Sequence, residues 1–287
     1  MAKKNSFKSK KQRQLIADII AFIFVIAIAG LTLLPLWWMF RSSLMKSVEI
    51  FTAPPPFFPP DWIWANYDLN PNIFNFGLLL RNTLTIAIPC VIFGTITAVM
   101  CGYAFARLKF KGKTFLFALC VGSMLVPPMV TLIPLNIAWT QFLKLGDTYW
   151  PLILPYFCGG GAFNIFLLRQ FIKTIPQELD EAAKIDGAGY LRTLVSILVP
   201  NIVSAIIVVA LLIFITTWND LLQQTIYISS PEKRTLALGL TAFQGSFKLD
   251  YAGMFAATCL TFLPGVVVYL FGQRYFVEGI VMTGMKN

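Results

Sequence analysis

Between Leu15 and Phe40 the chain carries one charged side chain, Asp18, and five later stretches are nearly as bare: Asn82–Arg107, Thr114–Thr140, Trp150–Phe171, Val199–Trp218 and Phe255–Phe276. Each is close to the ~20 residues that cross ~30 Å of hydrocarbon at ~1.5 Å of rise per residue. Charged residues make up 13% of the 287, about half of the roughly 25% typical of soluble domains. No interval is polar enough to fold as a soluble domain, so an all-α integral membrane protein with six transmembrane helices is expected. Thr114–Thr140 contains Pro127, Pro128 and Pro134, and this span is expected to be kinked or broken.

The remaining charges sort by side. With the N-terminus inside, the inner segments collect 16 Lys and Arg and the outer segments 7, so the basic-loop rule puts both termini in the cytoplasm. The expected layout is a basic tail at 1–14, a first span at 15–40 and an external Pro- and aromatic-rich loop at 41–81. A membrane core follows at 82–276, with an inner loop at 174–200 and an outer loop at 219–253, and a C-terminal tail closes the chain at 277–287. The first apolar run exceeds the ~7–15 residues of a cleavable signal and lacks a small-residue cleavage site, so it reads as a retained span. Within the outer loop, Thr235–Gly245 is apolar but too short to cross, and an interfacial or re-entrant segment is expected.

Other function classes drop out on composition. The net charge is +10, but the basic residues flank apolar runs and form no soluble aromatic-basic face, which excludes nucleic acid as a partner. There is no histidine, and Cys90, Cys101, Cys120, Cys158 and Cys259 form no Cys-x-x-Cys pair, so no metal site is expected. No Gly-x-x-x-x-Gly-Lys-Ser/Thr loop is present, and Gly159–Gly161 runs into Ala162-Phe163 rather than a lysine. The chain is expected to be non-catalytic and to hold no cofactor of its own.

Thr174–Pro200 is the long charged interval of the second half, with Glu178, Asp180, Glu181, Lys184, Asp186 and Arg192 close together. Thr174, Pro176 and Gln177 read as a capped helix start. Leu179, Ala182 and Ala183 fall at i, i+3 and i+4, a small apolar stripe that a partner can approach closely. Gly187 suits a reversal, and Asp186 is placed to cap a second short helix. A helix–turn–helix outside the membrane, tied to spans four and five, is expected to dock into a groove.

The spacing Glu181-Ala182-Ala183, three residues, Gly187, nine residues, Ile197, one residue, Val199-Pro200 resembles the EAA loop of binding-protein-dependent ABC importer permeases. That family usually ends the motif in Leu-Pro and often has Phe where Leu194 stands; both departures stay apolar. Phe163–Phe171 leading into Ile175-Pro176, Trp218-Asn219-Asp220, Thr235-Leu236 with Gly239-Leu240, and Gln273–Ile280 are similar to the carbohydrate-uptake branch, in particular its smaller maltose-type subunit. The tail Val281–Asn287 departs from that branch.

The resemblance covers roughly residues 75–287 and implies a type I ABC importer permease fold with a cytoplasmic coupling helix–turn–helix, in a bacterial or archaeal cytoplasmic membrane. It implies a second homologous permease subunit, two cytoplasmic ABC ATPases that bind ATP and Mg, an extracytoplasmic solute-binding protein and a sugar as substrate. The ATPase-coupling residues are then Glu178, Leu179, Glu181, Ala182, Ala183, Asp186 and Gly187.

Polar groups inside spans are costly and mark pathways, which makes Asn136, Asn164, Trp218 and Asn219 the candidates for the solute path. Helix–helix hydrogen bonding is the competing use of the same residue types. Gly102 and Gly159–Gly161 read as close-packing or hinge positions. A permease for a polyol or sugar phosphate is the alternative within the class. A membrane-embedded enzyme wants converging carboxylates, and a secondary transporter wants inverted repeats or buried ion pairs; the sequence displays neither pattern.

Overall fold

The computed structural model describes residues 2–244 and 250–284, with side chains described over 12–243 and 250–275. It divides into two compact units, 1–69 with 245–259, and 70–244 with 260–287. Among the described residues every regular element is helical. Of the tail expected at 277–287, residues 285–287 lie outside the described residues.

The first unit is built on α1 (Ala2–Ser43). The basic tail and first span were expected as separate segments, but they form one helix, because the intervening Lys, Gln and Arg residues are good helix formers. From Gln12 to Leu36 every side chain is exposed, as expected of an all-round apolar helix whose solvent is lipid. The proline-rich loop folds back onto the far end of α1. Trp37 Nε1 donates to Phe57 O at 3.1 Å, and Asn66 Nδ2 donates to Ser43 O and Met45 O, both at 2.9 Å. The buried Arg41 guanidinium lies 3.6 Å over the Trp38 ring and donates to Pro56 O.

The second unit is organised on α2 (Phe76–Arg107), six residues longer at its start than the span expected from Asn82. Its buried residues recur at helical spacing, from Leu79 and Thr83 through Ile86, Cys90, Gly94 and Ala98 to Gly102. Two glycines set how closely its neighbours approach. A Cβ on Gly94 would sit 2.9 Å from Ile213 Cδ1, and one on Gly102 would sit 3.1 Å from both Leu168 Cβ and Arg169 N.

The proline-containing span is broken. α3 (Lys113–Gly122) runs on to Leu125, and α4 (Pro128–Ile137) runs on to Phe142 at 101° to it, with Pro127 and Pro128 at the bend. α5 (Trp150–Ile153) passes through a 3-10 segment to Cys158. Gly159, Gly160 and Gly161 then turn the chain at φ +97°, +60° and +111° into α6 (Ala162–Thr174). α7 (Glu178–Ile185) and α8 (Tyr190–Thr193) follow, and α8 continues through a π turn into α9 (Val199–Asn201). α10 (Val203–Trp218) departs at 86°.

α11 (Leu222–Tyr227) and α12 (Leu236–Gly239) lie in the next loop, and α13 is Tyr251–Gly284. Over its described part the apolar Thr235–Gly245 stretch packs into the protein. Leu236, Leu238 and Phe243 are buried, and Leu236 N donates to Thr83 Oγ1 of α2 at 2.9 Å. Among the described residues four helices are long and apolar enough to cross a membrane, and each bent pair, taken as one span, brings the number to six.

Candidate functional site

The chain leaves α6 at Ile175, whose backbone is extended (φ −75°, ψ 135°), the conformation a following proline imposes. That displaces the expected helix start. Thr174 Oγ1 donates to Phe171 O at 2.8 Å and so closes α6, while Gln177 precedes α7 without a side-chain cap. The predicted capping box does not form. Glu178, Asp180 and Glu181 fill the first turn of α7, where the helix dipole favours anions.

α7 ends in a Schellman turn: Ala188 N donates to Ala183 O at 2.9 Å and Gly187 N to Lys184 O at 3.1 Å. Gly187 is the left-handed residue of that turn, at φ +77°. Asp186 caps the end of α7 rather than the start of α8, a role that passes to Gly189 in extended backbone.

The pair α7–α8 presents an apolar surface broader than the predicted stripe. Leu179 is 41% exposed, and it is joined by Ile185 (87%), Tyr190 (71%) and Leu191 (68%). Ala182, Glu178, Glu181, Asp186 and Gly187 are also exposed. Ala183 is not on this surface: at 5% exposed it packs against its own chain, because the helix turns its i+5 position away from Glu178.

Beneath α7 lies a contact that no local pattern announces. Arg107 Nε, at the end of α2, meets Asp180 Oδ2 at 2.8 Å, with the two side chains 7% and 21% exposed. Arg107 Nη2 also donates to Ile175 O at 2.6 Å. Burial pushes the Asp180 carboxyl up from its ordinary value, while Arg107 pulls it down. In the sequence Arg107 counts only as one more basic loop residue.

The opposite end of α2 carries a second polar hub. Asp147 accepts from Ser229 N (2.9 Å), Ser230 N (3.0 Å), Ser230 Oγ (2.6 Å) and Lys233 Nζ (2.8 Å). Lys233, then the two serines, hold its carboxyl well below the usual carboxylate range. Asn82 Nδ2 donates to Glu232 O (2.7 Å) and Arg234 O (2.9 Å), fastening the same loop to α2. Beside the hub opens a cavity of about 600 Å³, with Thr85, Phe93, Tyr149, Trp150 and Phe157 in its lining. Phe93 and Phe157 stack with centroids 4.2 Å apart.

The four predicted path residues have different surroundings. Asn164 is buried, and its Nδ2 donates to Gly160 O at 2.6 Å; it braces the glycine turn. Trp218 is also buried, with Nε1 donating to Thr261 O at 3.2 Å, which joins α10 to α13. These two serve helix packing in this structure, the competing use of such groups within spans. Asn219 is exposed at the end of α10 and donates back to Ile215 O at 3.0 Å. Asn136 in α4 keeps a buried Oδ1 with no hydrogen-bond partner among the described residues.

Among the described residues the chain is an all-helical bundle with broken spans and an exposed helix–turn–helix. Residues 90–281 match the family "Binding-protein-dependent transport system inner membrane component". The chain belongs to that family: it is the multi-pass inner-membrane permease subunit of a binding-protein-dependent ABC importer, non-catalytic, whose ATPase is a separate subunit.

Among relatives, it is 32% identical over 270 residues to the probable ABC transporter permease protein YurM of Bacillus subtilis, covering 93% of this chain and 86% of that one. It is 34% identical over 209 residues to the maltodextrin transport system permease protein MdxG of the same organism, covering 72% and 74%. A crystal structure of a bacterial ABC transporter involved in the import of the acidic polysaccharide alginate superposes with a TM-score of 0.73 at 21% identity, over 92% of this chain and 98% of that one. This places the fold in the type I importer class.

Proposed function

We propose that this permease imports a carbohydrate, with the Arg107 end of α2 and the α7–α8 pair in the cytoplasm and both termini on that side. The observation that carries the coupling role is the exposed surface of α7–α8, where Leu179, Ala182, Ile185 and Leu191 stand beside Glu178, Glu181 and Asp186. Such a surface fits a groove of a cytoplasmic ATPase: the apolar side chains bury area, and the charges set register. ATP and Mg are then bound by that ATPase, present in two copies beside a second, homologous permease. The excess of basic residues at this end supports the orientation.

The carbohydrate assignment rests on the maltodextrin relative and on the alginate-importer likeness. Asn136, with its unpaired buried oxygen, Asn164, Trp218 and Asn219 are the path candidates in this chain. Selection of the solute falls mainly to the extracytoplasmic binding protein.

The test is reconstitution of the complex with its binding protein, followed by a screen of mono-, di- and oligosaccharides, polyols and sugar phosphates for stimulated ATP hydrolysis. Stimulation by sugars alone is expected. Stimulation by a polyol or sugar phosphate alone overturns the carbohydrate reading and leaves the importer assignment standing.

A further inference from the structure

Covalently, α7 is tied to α6 through Ile175–Gln177 and to α8 through the Gly187 turn. Arg107 adds a third attachment, to a helix remote in sequence. We propose that Arg107 and Asp180 form an internal strut that makes the end of α2 move with the coupling helix, so that ATPase motion enters α2 directly rather than through its neighbours alone. The inference rests on the coupling role proposed above for α7.

Three observations converge on it. The ion pair is short and mostly buried, at 2.8 Å with side chains 7% and 21% exposed, where charges are screened little and one partner without the other is strongly unfavourable. The guanidinium reaches two places: Nη2 donates to Ile175 O at 2.6 Å, while Nε meets Asp180 as an ion pair without hydrogen-bond geometry, so it touches both the entry to α7 and its first turn, which an ammonium does less well. The surroundings are stiff. Arg169 Nε of α6 donates to Phe105 O of α2 at 3.1 Å, and its guanidinium lies 3.8 Å over the Phe117 ring. Gly102 admits the α6 backbone so closely that a Cβ there would meet Arg169 N at 3.1 Å. The end of α2, the end of α6 and α7 therefore form one block. Arg107 and Asp180 are positioning residues: neither reaches solute or nucleotide.

The test uses the assembled importer. Spin labels are placed at Lys109→Cys, just past α2, and Lys184→Cys, on the exposed side of α7, after replacement of the five native cysteines. The distance distribution is recorded without nucleotide and after trapping with ATP and vanadate. With the strut intact, a narrow distribution is expected that stays in place on trapping. Arg107→Ala and Asp180→Asn should each broaden it and let it shift, Arg107→Lys should do so partly, and the exchange Arg107→Asp with Asp180→Arg should restore a single narrow distance.

A wild-type distance that shifts on trapping overturns the proposal, as do variants indistinguishable from wild type. Co-purification of the ATPase is followed in parallel. Absence of ATPase from the wild-type complex refutes the coupling role of α7, and the label pair still reports on the strut in the permease without nucleotide.

Discussion

Replacing Gly187 separates two explanations of why a glycine stands in the coupling turn. A Cβ built there meets nothing within 4 Å, yet the backbone is left-handed at φ +77°. The cost of a side chain is therefore conformational, not steric, at least until a partner docks. An L-residue held in the left-handed region costs about 1–2 kcal/mol, with a β-branched residue at the upper end. If the turn yields instead, the Ala188–Ala183 and Gly187–Lys184 bonds are lost, at roughly 0.5–1.5 kcal/mol each. Either route gives about 2 kcal/mol for Gly187→Val, or roughly thirty-fold in the population of the native turn at ~1.4 kcal/mol per tenfold. Gly187→Asn should cost about 1 kcal/mol or less, since asparagine is the next most tolerant residue at this position. The assay is ATPase co-purification and solute uptake in the reconstituted complex, with membrane insertion as control. Val is expected to weaken both strongly while Asn retains most of each. Equal loss in Val and Asn would refute the backbone account and point to a partner surface packed against the glycine, and full activity in both would remove the turn from coupling.

Gly102→Ala should cost about 1–3 kcal/mol by overpacking, because the new Cβ meets the α6 backbone nitrogen of Arg169 at 3.1 Å. Thermal unfolding in detergent reads the loss, and Gly122→Ala, with nothing within 4 Å of the added Cβ, is the control free of overpacking and should be unchanged or slightly stabilised. Asp147 has its carboxyl depressed chiefly by Lys233. Its contribution is therefore full above its unfolded value near 3.8 and is lost as pH falls below that; Asp147→Asn should lower stability at pH 7 and flatten the decline between about pH 4 and pH 2. Trp218→Phe should cost about 1 kcal/mol by removing the hydrogen bond to Thr261 O without altering the order in which solutes stimulate hydrolysis. A changed solute order would return Trp218 to the path.

Properties written in local composition were legible. The apolar runs gave the spans, and the prolines at 127 and 128 gave the break between α3 and α4. The spacing from Glu181 to Pro200 gave the family. Local signals also misled where two helices share a boundary residue: Thr174 has the chemistry of a start cap, but Pro176 forbids a helical Ile175 and leaves the threonine to close α6. Asp186 was assigned to the wrong helix for the same reason. Contacts between distant segments left no trace. The pairing of Arg107 with Asp180, and of Asp147 with Lys233, depends on which helix ends the bundle brings together. Asn164 and Trp218 each carry a polar atom inside a span, and the sequence cannot say that a carbonyl, Gly160 O or Thr261 O, already meets it.

Those distant pairings fasten α2 at both ends. At one end Asn82 and Thr83 hold the loop that carries Glu232, Arg234 and Leu236, and at the other Arg107 holds the coupling helix. Between them Gly94 and Gly102 leave no slack against α10 and α6. A helix gripped in this way cannot absorb a displacement by sliding, because close-packed cores rearrange in discrete steps rather than deform continuously. On the strut proposed above, a displacement of α7 would reach the Asp147 hub and the adjoining cavity through α2. The breaks lie in the neighbouring segments instead, at Pro127, at Gly159–Gly161 and at Ile202, where the chain is already bent. If the proposed strut holds, transport should be more sensitive to loosening either end of α2 than to substitution along its exposed Ile88, Ile92 and Ile96 face, and uptake by the reconstituted complex measures the difference.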